Sequence, residues 1–344
     1  MNSAASRPRL TALAGVAAMG VAAAGVAIPA SYADEDDRQR YRVFRINSPE
    51  ITESSSLFVS TAHQGLVYTT NDSGDAATIY VLDADNGALI GRTTLAGADA
   101  VDVEALAGGT DGSLVMADIG DNTSVRDSIS VYRLPQPEAG NLSDSAERVQ
   151  LEYVDGPRDA ESALYDVRTG RIFVVSKEFA GASVYVTPRD VFDRARAVLR
   201  PVAGAPALAT DATLLPGVKE AVIRTHVGAV IYRFPSFERV AAMPLPAMEQ
   251  GESIAAPPSG DLVWVGSEGE RSPVIAVRLP EPSPSSPSTP PAVPTTAPAP
   301  AGGDASPTRA DYRGVAEKVL AGSLVGLGLV VTVAIGLAWR RRRG

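Results

Sequence analysis

Ile79-Tyr80-Val81-Leu82, Val131-Tyr132-Arg133-Leu134-Pro135, Val184-Tyr185-Val186-Thr187-Pro188, Ile231-Tyr232-Arg233-Phe234-Pro235 and Ala276-Val277-Arg278-Leu279-Pro280 are variants of one short strand sentence. Their central positions, 80, 132, 185, 232 and 277, fall 52, 53, 47 and 45 residues apart. A recurrence on that scale marks a single supersecondary unit used repeatedly, and the β-branched and aromatic content makes the unit all β.

Each unit carries further strand candidates around this sentence. Ahead of it stand Leu66-Val67-Tyr68-Thr69-Thr70, Leu114-Val115-Met116-Ala117, Ile172-Phe173-Val174-Val175, Ala221-Val222-Ile223 and Leu262-Val263-Trp264-Val265. Every one follows a turn glycine (Gly65, Gly112, Gly170, Gly217 or Gly260). Earlier still comes an apolar segment with an acid near its start: Glu53, Glu104, Glu161, Asp211 and Glu252. A fourth strand follows at 88–95, 148–153 and 239–243. Four short antiparallel strands per unit predict a β-propeller over residues 41–280, with five blades and six as the alternative. The last unit lacks an outer strand, and residues 41–46 alternate like one, so the N-terminal strand is expected to close the ring and protect its edges.

The flanks read as targeting and anchoring segments. An apolar run over 10–28 preceded by Arg7 and Arg9, then Ser31-Tyr32-Ala33 before Asp34-Glu35-Asp36-Asp37, predicts a signal peptide at 1–33 and an acidic segment at 34–40. An uncleaved anchor is the alternative. Residues 281–308 hold a Pro/Ser/Thr-rich tract that favours an extended stalk, followed by a juxtamembrane segment at 309–319. Residues 320–339 contain no charge and are long enough for one transmembrane helix. Arg340-Arg341-Arg342-Arg343 then place the basic tail, 340–344, in the cytoplasm and the propeller outside. The expected partners are therefore the cell membrane, through this helix, and an extracellular ligand or protein at the propeller.

Composition narrows the chemistry. The net charge is −9 and includes the basic tail, which argues against nucleic acid. There is no cysteine, so disulfides and a thiol nucleophile are excluded. With two histidines, His63 and His226, and no Gly-x-Ser-x-Gly elbow, conventional hydrolase machinery is thin. Asp83-Ala84-Asp85-Asn86-Gly87 begins like a calcium loop, but position twelve is Thr94, and it reads as a hairpin turn.

The chemistry is expected where innermost strands converge at a channel mouth. Asp72, Asp102, Glu104, Asp118, Asp159, Glu161 and Glu252 are the candidate metal ligands, and Lys177, Arg224 and His226 the candidate ligand-binding groups. Like charges about 4 Å apart repel by roughly 4 kcal/mol at an effective dielectric of 20, so a converging set needs a counter-charge. Oxygen-only ligation suits Ca²⁺. The other reading is that these acids cap turns by bonding their own backbone.

Asn71-Asp72-Ser73-Gly74-Asp75, Asp102-Val103-Glu104-Ala105-Leu106, Asp118-Ile119-Gly120-Asp121-Asn122 and Asp159-Ala160-Glu161 resemble motifs of exported actinobacterial β-propeller proteins of unassigned function. They are more distantly similar to the esterase-like phytase propellers. The resemblance covers residues 53–178 well and the last two repeats poorly, and it implies the propeller fold. Two functions follow as expectations: a ligand- or protein-binding module using Ca²⁺, or a Ca²⁺-dependent phosphoesterase or esterase using the same carboxylates.

Overall fold

The computed structural model describes residues 42–72 and 76–280. The signal peptide, acidic segment, stalk, juxtamembrane segment, transmembrane helix and basic tail read from the sequence lie outside the described residues. Among the described residues no helix is long and apolar enough to cross a membrane.

The chain runs through antiparallel meanders, each moving outward from an inner strand. The first comprises β2 (Ser54–Val59), β3 (Leu66–Asn71), β4 (Thr78–Asp83) and β5 (Leu89–Leu95). The second is β6 (Val103–Gly108), β7 (Ser113–Asp118), β8 (Ile129–Pro135) and, after β9 (Gly140–Asp144), β10 (Glu147–Tyr153). The third is β11 (Ala160–Asp166), β12 (Arg171–Ser176), β13 (Ser183–Val186) and β14 (Arg196–Gly204). The fourth is β15 (Ala209–Leu214), β16 (Glu220–Thr225), β17 (Gly228–Arg233) and β18 (Arg239–Pro244). In the last, β19 (Gly251–Ala255), β20 (Leu262–Ser267) and β21 (Pro273–Arg278) are completed by β1 (Arg42–Arg45) from the chain's other end. The inner strands pack in sequence, β2 on β6, β6 on β11, β11 on β15, β15 on β19 and β19 on β2. This is a propeller-like all-β fold with its inner strands around a common axis.

Burial follows the sequence pattern. Second strands such as β3, β7 and β12 are buried along almost their whole length, and they are the near-continuous apolar runs. Outer strands alternate, as β5 and β10 do, because one face meets solvent. The recurring tyrosines, Tyr80, Tyr132, Tyr185 and Tyr232, lie on third strands and are buried between meanders.

Two features depart from simple meanders. β9 adds to the first sheet parallel to β5, and β14 pairs in parallel with β10, fusing the second and third meanders into one eight-stranded sheet. The sequence reading contained neither. β9 is mostly exposed and has no apolar alternation, while β14 carries Pro201 within an irregular, largely exposed run.

Candidate functional site

Every inner strand starts with a β-bulge against its second strand. The register slips between Ser54 and Ser56, Val103 and Ala105, Ala160 and Ser162, Ala209 and Asp211, and Gly251 and Ile254. An unpaired bulge residue is free to be re-aimed from the ladder. The residues so placed are Ser55, Glu104, Glu161, Thr210 and the Glu252-Ser253 pair. This corrects the sequence register, which aligned Glu53 and Asp211 with Glu104, Glu161 and Glu252. Ser55 and Thr210 occupy those places, and both hydroxyls reach the next-in-ring acid: Ser55 Oγ lies 3.0 Å from the Glu104 carbonyl and Thr210 Oγ1 2.8 Å from that of Glu252.

Asp72, just beyond β3, and Asp102 and Glu104, at the start of β6, converge so that one carboxylate oxygen from each lies within 4.8 Å of the others. Glu104 is buried and accepts from Ser55 Oγ at 2.8 Å. Asp102 Oδ1 is buried without a hydrogen-bond partner. Burial, the hydrogen bond and charge of Asp72, and the charge of Asp159 outweigh Arg126 and push the Asp102 carboxyl up to about 7. Burial and then the charges of Glu161 and Asp72 push Glu104 well above the carboxylate range.

Gly120 makes this approach feasible. A Cβ there would lie 2.4 Å from Asp102 Oδ2 and 2.8 Å from Glu104 Oε1, so any side chain would fill the space against which the two acids rest. An orphaned buried carboxylate oxygen, an oxygen-only donor set and a wall without a side chain fit a hard divalent cation.

The other half of the mouth carries its own counter-charges. Lys177 Nζ donates to Glu161 Oε1. Burial pushes Glu161 up to about 8 even though Lys177 works the other way. Burial acts to lower Lys177, but Glu161, Glu252 and Glu104 outweigh it and raise its pKa. Across from it, His226 Nδ1 lies 3.5 Å from Glu252 Oε1, and burial raises Glu252 against the pull of His226, Lys177 and Arg224. Glu268 is pushed to about 7 by burial and by the charges of Glu252, Asp72 and Glu53.

The remaining candidates are spent on structure. Asp118 accepts from Asp102 N at 2.9 Å and pairs with Arg126 at 2.9 Å. Asp121 accepts from Val125 N and Arg126 N and so caps its own turn, whereas Asp118 ties the backbone of Val101 and Asp102 and the Arg126 side chain to the end of β7. Asp159 accepts from Asp121 N at 2.9 Å, and burial raises its pKa. Arg224, expected at the mouth, is fully buried, with Nη1 donating to the Ser253 and Gly266 carbonyls. Burial lowers it to about 10. Its place on β16, opposite Asp211 of β15, turns it inward.

No family model matches this chain, and no curated protein does. Among solved structures, a gluconolactonase from Xanthomonas campestris is similar at 14% identity and a TM-score of 0.41, over 62% of this chain and 69% of its own. A hydrazine synthase from Kuenenia stuttgartiensis is similar at 13% identity and a TM-score of 0.39, over 64% of this chain and 57% of its own.

Proposed function

We propose that this chain is an extracytoplasmic binding module, a five-bladed propeller carried on a C-terminal membrane helix, that captures its ligand at the channel mouth with the help of a Ca²⁺ ion. The five meanders and the ring of inner strands support the blade count. The uncharged run at 320–339 with its four following arginines supports the anchor. The observation that carries the function is the convergence of Asp72, Asp102 and Glu104, with a buried Asp102 oxygen lacking any protein donor. Ca²⁺ takes six to eight oxygens, so three carboxylates leave positions for water or for oxygens of a ligand.

Calorimetric titration of Ca²⁺ into the chelator-stripped full-length chain tests this. One site is expected, lost in an Asp102→Asn/Glu104→Gln double variant. A hundredfold excess over Kd should stabilise the fold by about 2.7 kcal/mol. No heat and no change in melting temperature would refute the cation site.

The His226–Glu252 contact favours a second reading, ester hydrolysis, because a carboxylate behind a rim histidine is a general-base arrangement. Turnover in a panel of phosphate and carboxylic esters, abolished by His226→Ala, would establish it. An inert panel leaves the binding module.

A further inference from the structure

The loops surrounding the acidic mouth differ from the rest of the surface. Val101, Val125, Val154, Phe179, Leu208 and Val227 are all exposed, Phe179 by 64% and Val227 by 84%. They occupy six successive loops at the end where the inner strands begin: β5–β6, β7–β8, β10–β11, β12–β13, β14–β15 and β16–β17. The other exposed large apolar side chains among the described residues, Leu142, Val198, Val202 and Val240, lie on the outer strands β9, β14 and β18. None is on the hairpins at the opposite end. Scattered apolar residues are ordinary, whereas a set confined to one rim marks an interaction surface.

From this asymmetry we infer that the rim and mouth together dock a polypeptide partner that presents a lysine or arginine flanked by apolar residues. The apolar crescent covers the second to fourth meanders. The fifth and first carry a cleft of about 580 Å³ in which Glu53, Glu249, Glu268 and Glu270 outnumber Arg45 and Arg271, so its lining is acidic in balance. Asp72 and Glu252 carry the acidic lining on into the mouth, where His226 and Lys177 face Glu252. A basic side chain is the complement, and the apolar loop tips supply the desolvated surround in which such a contact gains strength. Six side chains on three successive meanders exceed what a small amine covers. A phospholipid surface is disfavoured because the basic groups of these loops are already engaged: Arg126 with Asp118, Arg158 with Asp155 and Glu178, and Lys177 with Glu161.

The inference rests on the mouth being the binding face, as proposed above, and it is separable from the Ca²⁺ site. A random peptide display library is selected against the full-length chain with and without Ca²⁺. Recovered peptides should carry Lys or Arg between Leu, Val or Phe. They should bind Phe179→Asp/Val227→Asp at least about tenfold more weakly, while that variant keeps its melting temperature and its Ca²⁺ response. Acidic peptides, no peptides, rim-independent binding, or flotation of the chain with phosphatidylcholine/phosphatidylserine vesicles instead would overturn it. Rim-dependent basic peptides with no Ca²⁺ response would uphold the docking and remove the cation reading alone. A Ca²⁺ response without such peptides would do the reverse.

Discussion

Ser56 Oγ, on β2, lies 3.1 Å from Asp211 Oδ2, on β15, although 155 residues separate the two in the chain. The pair joins four inner strands beneath the mouth. Leu106 N of β6 donates to Ser56 Oγ at 3.0 Å, and Ile254 N of β19 donates to Asp211 Oδ2 at 2.8 Å. Asp211 is fully buried, which pushes its pKa well above the ordinary range despite these donors. Removing the acceptor strands the Ser56 hydroxyl and the Ile254 and Ala212 amides. At about 1–3 kcal/mol for each buried group left unsatisfied, Asp211→Ala should lower unfolding free energy by roughly 3 kcal/mol or more. Asp211→Asn keeps a carbonyl acceptor and should lose less. Denaturant melts of both variants check the order, and equal losses would show that the network does not hold the ring.

Closure of the ring rests on a four-residue strand. Phe44 of β1 is buried and meets Trp264 of β20 edge-on, with ring centroids 5.9 Å apart. Phe44→Ala should cost about 3–5 kcal/mol, the usual range for a buried phenylalanine. The measurement is a denaturant midpoint, read together with proteolysis near β21, whose edge would become exposed. A loss under about 1 kcal/mol would mean that β1 is a dispensable edge.

The strand sentences and their spacing were enough to find the repeating unit, since continuous apolar runs bounded by turn glycines fit little else. The closing strand was also legible, as an orphan pattern at one end and a missing strand at the other. The parallel additions were not, because β9 and β14 bury too little to leave a period. Glu104, Glu161 and Glu252, read from the sequence as acids near the starts of inner segments, lie in the bulges where inner strands begin. Ser55 and Thr210 were missed because a bulge shifts register without any sequence signature of its own. Arg224 was misplaced for a related reason: residues closing a second strand alternate between mouth and interior, and a slip of one reverses the side. Gly120 carried a readable signal, a glycine inside an acidic motif, yet its importance lies in the acids it admits rather than in a turn.

That glycine supports a third prediction. Gly120 does not occupy the left-handed region, so its backbone accepts alanine, and the conflict is confined to Asp102 and Glu104. Gly120→Ala should leave the fold intact while forcing the two carboxylates apart. Ca²⁺ affinity should fall by about tenfold or more, equivalent to about 1.4 kcal/mol. Calorimetry on the variant at neutral pH is the check. Unchanged affinity would place the ion elsewhere.

The raised acids also fix the pH dependence of stability without the ion. Burial leads the causes for Asp102, lifted from 3.8 to about 7, for Glu161, from 4.5 to about 8, and for Glu268, from 4.5 to about 7. A carboxyl whose folded pKa exceeds its unfolded value favours the folded state while it is protonated. Its contribution is complete below the unfolded value and is lost as pH rises through the folded one. The chelated protein should therefore melt at higher temperature near pH 5 than near pH 8, opposite to a protein whose acids are ion-paired throughout. Ca²⁺ binds the ionised carboxylates, so at millimolar concentration it should stabilise most near pH 8 and flatten the profile. Asp102→Asn removes one of these titrations and should shallow the decline in chelator. Melting curves across this range, with and without Ca²⁺, decide the matter. A chelated protein whose stability climbs steadily from pH 5 to pH 8 would mean that the mouth acids are already neutralised by the chain's own cations.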